Sequence, residues 1–112
     1  MEIVQPRAKT NAVIYCEEHY PNTMRTFREI QQKQIELFAK KQMDYSPHNI
    51  LINGDKILSE LGLLFRMNDK LSRLFNLNKT QKAQNEPAID SFIDISNYAI
   101  IALILKAGYW GN

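Results

Sequence analysis

The sequence predicts an all-α fold, a helical bundle of three long helices plus one short helix with an N-terminal arm. Two observations carry this. Apolar residues recur at spacings of three and four over three long stretches. Proline-containing, glycine-containing or polar breaks separate those stretches, with no convincing β-hairpin, internal repeat or low-complexity segment. At 112 residues the chain is one domain.

Residues 1–21 read as an N-terminal arm, and residues 22–112 as the helical domain. Within the arm, Ala12-Val13-Ile14-Tyr15 fits a short strand, a helical turn or a packed segment. Pro21-Asn22-Thr23 then reads as a helix start with Asn22 or Thr23 as the cap. Met24, Phe27, Ile30, Ile35 and Phe38 follow at helical spacing, which predicts a helix to about Gln42. Asp44-Tyr45-Ser46-Pro47-His48-Asn49 breaks it, because proline disfavours a helical conformation at Ser46. Asn53-Gly54-Asp55 reads as a turn or helix boundary.

The helical signal returns at Lys56. Leu61, Leu64, Leu71, Leu74 and Phe75 mark the apolar face of a second long helix ending near Leu77. Residues 76–85 are polar and read as a surface loop. Pro87 suits the first turn of a last helix, which should carry Ile89, Phe92, Ile93, Ile100, Leu103 and Ile104 to the core and end at Gly108. Tyr109 and Trp110 should fold back on the bundle.

Composition excludes several classes of function. The 14 Lys+Arg against 12 Asp+Glu give a formal charge of +2, with no basic tract, so direct nucleic-acid binding is not expected. The lone Cys16 forms no internal disulfide and suits a reducing compartment. The N-terminal residues show no apolar signal region, and the longest apolar run, residues 99–105, is far short of a membrane span. These features predict a cytoplasmic protein without a membrane partner. The four glycines form no P-loop or dinucleotide fingerprint, and one cysteine makes no zinc pattern.

The last helix carries the chemistry of interest. Glu86, Asp90, Asp94 and Asn97 fall on one stripe, at spacings of four and three. Like charges one turn apart oppose the helix by a few tenths of a kcal/mol, roughly, so the stripe calls for a cation. The second long helix offers Arg66, Asp69, Lys70 and Arg73 on a shared face. Two readings stay open. Arg66, Lys70 and Arg73 pair with Asp90 and Asp94 across a helix seam. Alternatively, Asp69 joins the acids around Mg²⁺ while the cations and Asn97 contact phosphate oxygens. A third cluster, from Lys40 through Asn49, mixes cations, Tyr45, His48 and an amide. There Tyr45 could stack on a base and Lys40 reach a phosphate, or Tyr45 could simply pack on the core.

Three ordered motifs carry a resemblance across residues 25–108: Lys40-x-x-x-Asp44-Tyr45, Arg66-x-x-Asp69-Lys70-x-x-Arg73-Leu74, and Asn85-Glu86-Pro87-x-x-Asp90-Ser91-x-x-Asp94-x-x-Asn97-Tyr98-Ala99. Together they resemble the nucleotide modification associated domain 1 family, found largely in phages and bacteria. That family is similar to the all-α MazG-like nucleoside triphosphate pyrophosphatases. The resemblance implies a MazG-like bundle and a Mg²⁺-dependent hydrolysis of a (deoxy)nucleoside triphosphate to monophosphate and pyrophosphate. It implies Asp69, Glu86, Asp90 and Asp94 as metal ligands. Lys70 and Arg73, assisted by Lys40 and Asn97, would contact phosphates, and Tyr45 and Asn49 the base or sugar. It also implies a homo-oligomer, which apolar residues such as Leu63 and Phe65 on a second helix face would support. The chain departs from the pyrophosphatase pattern in two places. Asp90 and Asp94 are four apart rather than three, and the earlier helix lacks an intact Glu-x-x-Glu. A non-catalytic nucleotide-binding protein is therefore the alternative.

Overall fold

The computed structural model describes residues 8–79 and 86–112, with the side chains of Glu86 and Pro87 outside the description. The order is α1 (Asn11–His19), α2 (Pro21–Tyr45), a 3₁₀ turn (Pro47–Asn49), α3 (Lys56–Lys79) and α4 (Glu86–Ala107). The fold is all-α, and no strand occurs among the described residues. Residues 80–85 of the expected surface loop lie outside the described residues.

The first helix resolves the ambiguity of the N-terminal arm. Thr10 takes an extended conformation and its side chain accepts the Val13 amide, a Ser/Thr-type N-cap. Lys9 and Arg28 both pair with Glu17, at 2.9 and 3.2 Å, which ties α1 to α2. The hydrogen bond from Lys9 and the two nearby cations hold the Glu17 carboxyl below the usual carboxylate range. Contrary to expectation, neither Asn22 nor Thr23 caps α2. The helix starts at Pro21, whose fixed φ and missing N–H suit the first turn without a side-chain cap. Asn22 Oδ1 instead accepts from Arg25 at 2.6 Å.

Two tight features reset the chain between α2 and α3. Ser46 has φ 58° and ψ 170°, a region that glycine alone adopts freely. It swings the backbone out of α2 into the Pro47 turn. Asn53 and Gly54 follow at φ 52° and 70°, and Ile52 bridges Asp55 across them. Two successive positive φ values define a type I′ turn, for which Asn-Gly is the favoured pair. Asp55 then caps α3, its Oδ1 accepting the amides of Ile57 at 2.8 Å and Leu58 at 3.0 Å. Ser59 Oγ locks this corner, donating to the Asp55 carbonyl and accepting the Ile52 amide.

Helices α3 and α4 form an antiparallel hairpin. Lys106 pairs with Glu60 at 2.6 Å near one end, and Lys70 with Asp94 at 2.9 Å further along. Ser59, Leu63 and Leu74 of α3 are buried, as are Ala88, Ser91, Ile101 and Leu105 of α4. Three of these, Ser59, Ala88 and Ser91, are small. Helix α4 ends in a Schellman motif at Gly108, φ 84°, with Gly108 N–H on Leu105 O and Tyr109 N–H on Ile104 O. Trp110 folds back as expected, its indole donating to Pro47 O at 3.2 Å and its ring meeting Phe38 edge-on. Tyr109 stays exposed.

The core is not where the strongest apolar stripes predict it. Of the expected α3 face, Leu74 is buried, while Leu61, Leu64, Leu71 and Phe75 are exposed. Leu63, expected on a second face, is 1% exposed and central to the core. Of the expected α4 face, Ile89, Phe92, Ile100 and Leu103 are exposed, and Ile93 and Ile104 are half-buried. Both helices carry apolar residues on two faces, and one chain covers only one of them. Residues 88–107 are also long and apolar enough to cross a membrane by length and composition, with mean hydropathy 1.6. The run at 99–105 understated this. Core helices of water-exposed proteins pass the same test.

Replacing Asp55 with Ala removes the cap of α3 and should lower unfolding free energy by about 1 kcal/mol in urea denaturation.

Candidate functional site

Helix α2 packs against the α3–α4 hairpin through its second half, where Gln34 meets Ser96 and Lys41 meets Asp94 on α4. A cleft of about 180 Å³ lies at the end of α2 beside these contacts.

Each wall follows from helical phase. Phe38, Lys41, Gln42 and Tyr45 stand three or four apart on α2 and share the face that meets the cleft. Asn49 and Ile50 come from the 3₁₀ turn, placed there by the Ser46 conformation. Arg66 enters from α3. Asp94, Asn97, Tyr98 and Ile101 line the α4 side, again at spacings of three and four.

Charge in the cleft is organised around Asp94. Its Oδ1 lies 3.3 Å from Lys41 Nζ and its Oδ2 lies 2.9 Å from Lys70 Nζ. The Asp94 side chain is only 14% exposed, against 42% for Lys41 and 28% for Lys70. Two cations around one carboxylate leave a local positive surplus, with Lys41 at the mouth. Arg66 is held in place, donating to Asn49 O at 2.8 Å and lying 6.0 Å above the Tyr98 ring.

The structure brings together four of the ten sequence-predicted residues at this cleft: Tyr45, Asn49, Asp94 and Asn97. Lys70 joins them indirectly, through Asp94. Lys40 and Arg73 are exposed and outside the lining. Asp69 and Asp90 are exposed as well. Asp90 lies one turn before Asp94, which in the antiparallel hairpin places it toward Leu74, away from the cleft. The Glu86 side chain lies outside the described residues. Among the described residues, no three of His, Cys, Asp and Glu gather as a possible metal site. Both Asp94 oxygens face lysines.

Of the two sequence readings of the acid stripe, the seam pairing of Lys70 with Asp94 is observed. Arg66 goes instead to the Asn49 carbonyl and the Tyr98 ring.

Sequence reasoning did not select Lys41 as a ligand contact, and it offered Arg66 only as one of the α3 cations set against phosphate. The signal for Lys41 was present: with Phe38 and Tyr45 on one face, position 41 shares their phase and position 40 does not. It requires α2 to continue to Tyr45, three residues past the predicted end.

Comparison with protein-family models, curated proteins and solved structures finds no match to this chain.

Exchanging Asp94 for Asn should cost about 1–2 kcal/mol, between the values for exposed and buried pairs. Adding Lys70→Met should recover part of the loss, because the uncompensated charge goes with it. A double-mutant cycle by urea unfolding measures both.

Proposed function

We propose that the α2–α3–α4 cleft binds a nucleotide, as a binding rather than a hydrolytic site. One observation carries the reading. Aromatic, amide and cationic side chains from three helices and the 3₁₀ turn converge on one concave site beside Asp94. Aromatic rings stack on a base, amides read its edge, and a lysine at the mouth meets phosphate. The motif resemblance to MazG-like proteins supports the same ligand class.

The cleft volume adds a constraint. At about 180 Å³ it is smaller than pockets that enclose a drug-sized ligand, which run from about 300 Å³ upward. It accommodates a single ring system, so the phosphates lie outside, along Lys41. Tyr45 is 61% exposed and free to close over the ring. Asn97 is buried and presents its amide from the floor. Asp94 acts by positioning Lys41.

Hydrolysis to monophosphate and pyrophosphate is the second reading, and Asp90 one turn from Asp94 on α4 is its support. Mg²⁺ bound there would supply charge neutralisation at phosphorus. Asp90 and Asp94 would be the residues to hold it.

The protein has a single tryptophan, Trp110, whose ring meets Phe38 of the cleft. Its emission should change on titration with nucleoside mono- and triphosphates. Lys41→Ala and Tyr45→Ala should each weaken binding about tenfold or more, while Lys40→Ala leaves it unchanged. Recovery of intact nucleotide after incubation with Mg²⁺ supports binding alone. Release of pyrophosphate supports the second reading, and absence of binding by calorimetry refutes both.

A further inference from the structure

Among the described residues, Asn53 and Ser46 have positive φ without being glycine. Asn53 sits in a turn that favours asparagine. Ser46 has no such excuse: φ 58° with ψ 170° is a region essentially reserved to glycine. Pro47 accounts for the ψ, because a residue before proline is driven to extended values, but not for the φ. A conformation of this kind persists only where its surroundings impose it, and such positions gather at ligand clamps and active sites.

On the upstream side, the Ser46 amide closes α2 by donating to the Gln42 carbonyl at 3.0 Å. On the downstream side, three donors converge on the Pro47 carbonyl. They are the amides of Ile50 at 3.1 Å and Leu51 at 3.4 Å, and the Trp110 indole at 3.2 Å. The first two are local, whereas the indole comes from beyond α4. Gly111 follows it so closely that a Cβ there would stand 3.3 Å from the Pro47 Cβ. The Trp110 ring also meets Phe38 of α2 edge-on, 5.9 Å between centroids. Residues 108–112 therefore strap the end of α2 to the 3₁₀ turn. From α3, Arg66 holds the other end of that turn through Asn49 O at 2.8 Å. Phe38, Asn49 and Ile50 line the cleft, and Trp110 stands behind them, outside the lining.

We propose that Trp110 is a positioning residue for the cleft. Its bond to the Pro47 carbonyl holds Ser46 in the strained conformation and so sets the Asn49–Ile50 wall from behind. Without that bond Ser46 relaxes to negative φ, and the turn carries Asn49 and Ile50 away from Tyr45 and Asn97. The consequence for ligand affinity rests on the nucleotide reading, whereas the placement of the wall is measurable without a ligand.

Trp110→Phe keeps a ring against Phe38 and removes the donor. In the ligand-free chain, amide hydrogen exchange at Ile50 and Leu51 should then accelerate about tenfold or more relative to Leu63 and Ile101 of the hairpin. Adding Ser46→Gly should bring both amides back to within about threefold of wild type, because glycine holds the conformation without a clamp. That change gives up only the 3.4 Å contact of Ser46 Oγ with the His48 amide. Calorimetry with nucleoside monophosphates should follow the same course, an affinity loss of about tenfold in Trp110→Phe that Ser46→Gly restores. A tryptophan that only filled the core, or that touched the ligand itself, would not be rescued from position 46. Should Trp110→Phe fail to fold, Gly111→Ala, whose Cβ presses on Pro47, should give the same exchange pattern. Unchanged exchange at Ile50 and Leu51, an equal acceleration throughout the hairpin, or no rescue by Ser46→Gly overturns the proposal. A wild-type chain that binds no nucleotide yet shows the exchange pattern and its rescue refutes the nucleotide reading and upholds the role of Trp110.

Discussion

Asp94 is where the three long helices meet. Its carboxylate receives Lys41 from α2 and Lys70 from α3, while its own backbone belongs to α4. A nearly buried carboxylate is costly unless paired, and two lysines on one carboxylate fix the position of both donor helices. Gln34 on Ser96 is the neighbouring contact between α2 and α4, and Phe38, between Gln34 and Lys41, packs on the core. The cleft opens beside this junction. Lys41 is held at the mouth of the cleft by the same bond that joins the helices, so the proposed ligand site and the helix junction share one carboxylate.

The remainder of α2 is largely uncovered. Gln34 is its only buried residue, and Phe27 and Ile30 on its first half are exposed. The intramolecular core is correspondingly small: Ile50, Leu63, Ile101 and Leu105, with Phe38, Leu51, Tyr98, Ala102 and Trp110 around it. Trp110 closes this core from the C-terminal end, and the Gly108 turn makes its return possible. A core this size lies beside a wide exposed apolar face on α3.

Local chemistry in the sequence was legible wherever a residue acts through its own backbone neighbourhood. Asn53-Gly54 marks its turn, Asp55 begins α3, Pro21 and Pro47 begin helical segments, and Gly108 ends α4. The start of α2 was misassigned to Asn22 or Thr23 because a proline start and a polar cap compete for the same few positions. The site was legible in part. Tyr45, Asn49, Asp94 and Asn97 reach one cleft. Lys40 was named from its place in the Lys40-x-x-x-Asp44-Tyr45 motif, whereas helical phase with Phe38 and Tyr45 puts Lys41 in the cleft.

By itself the sequence determined the helices, their approximate ends and the charged stripe on α4. Those depend on spacing, capping and turn residues, all local. It could not determine which apolar face of α3 and α4 becomes the core, since both faces satisfy the same periodicity. The tertiary structure decided that: Leu63 with Ile101 and Leu105 forms the core, and Ser59, Ala88 and Ser91 are buried along with them. That choice aims Lys70 at Asp94, lets Lys41 reach the same carboxylate, and turns Leu61, Leu64, Leu71 and Phe75 outward.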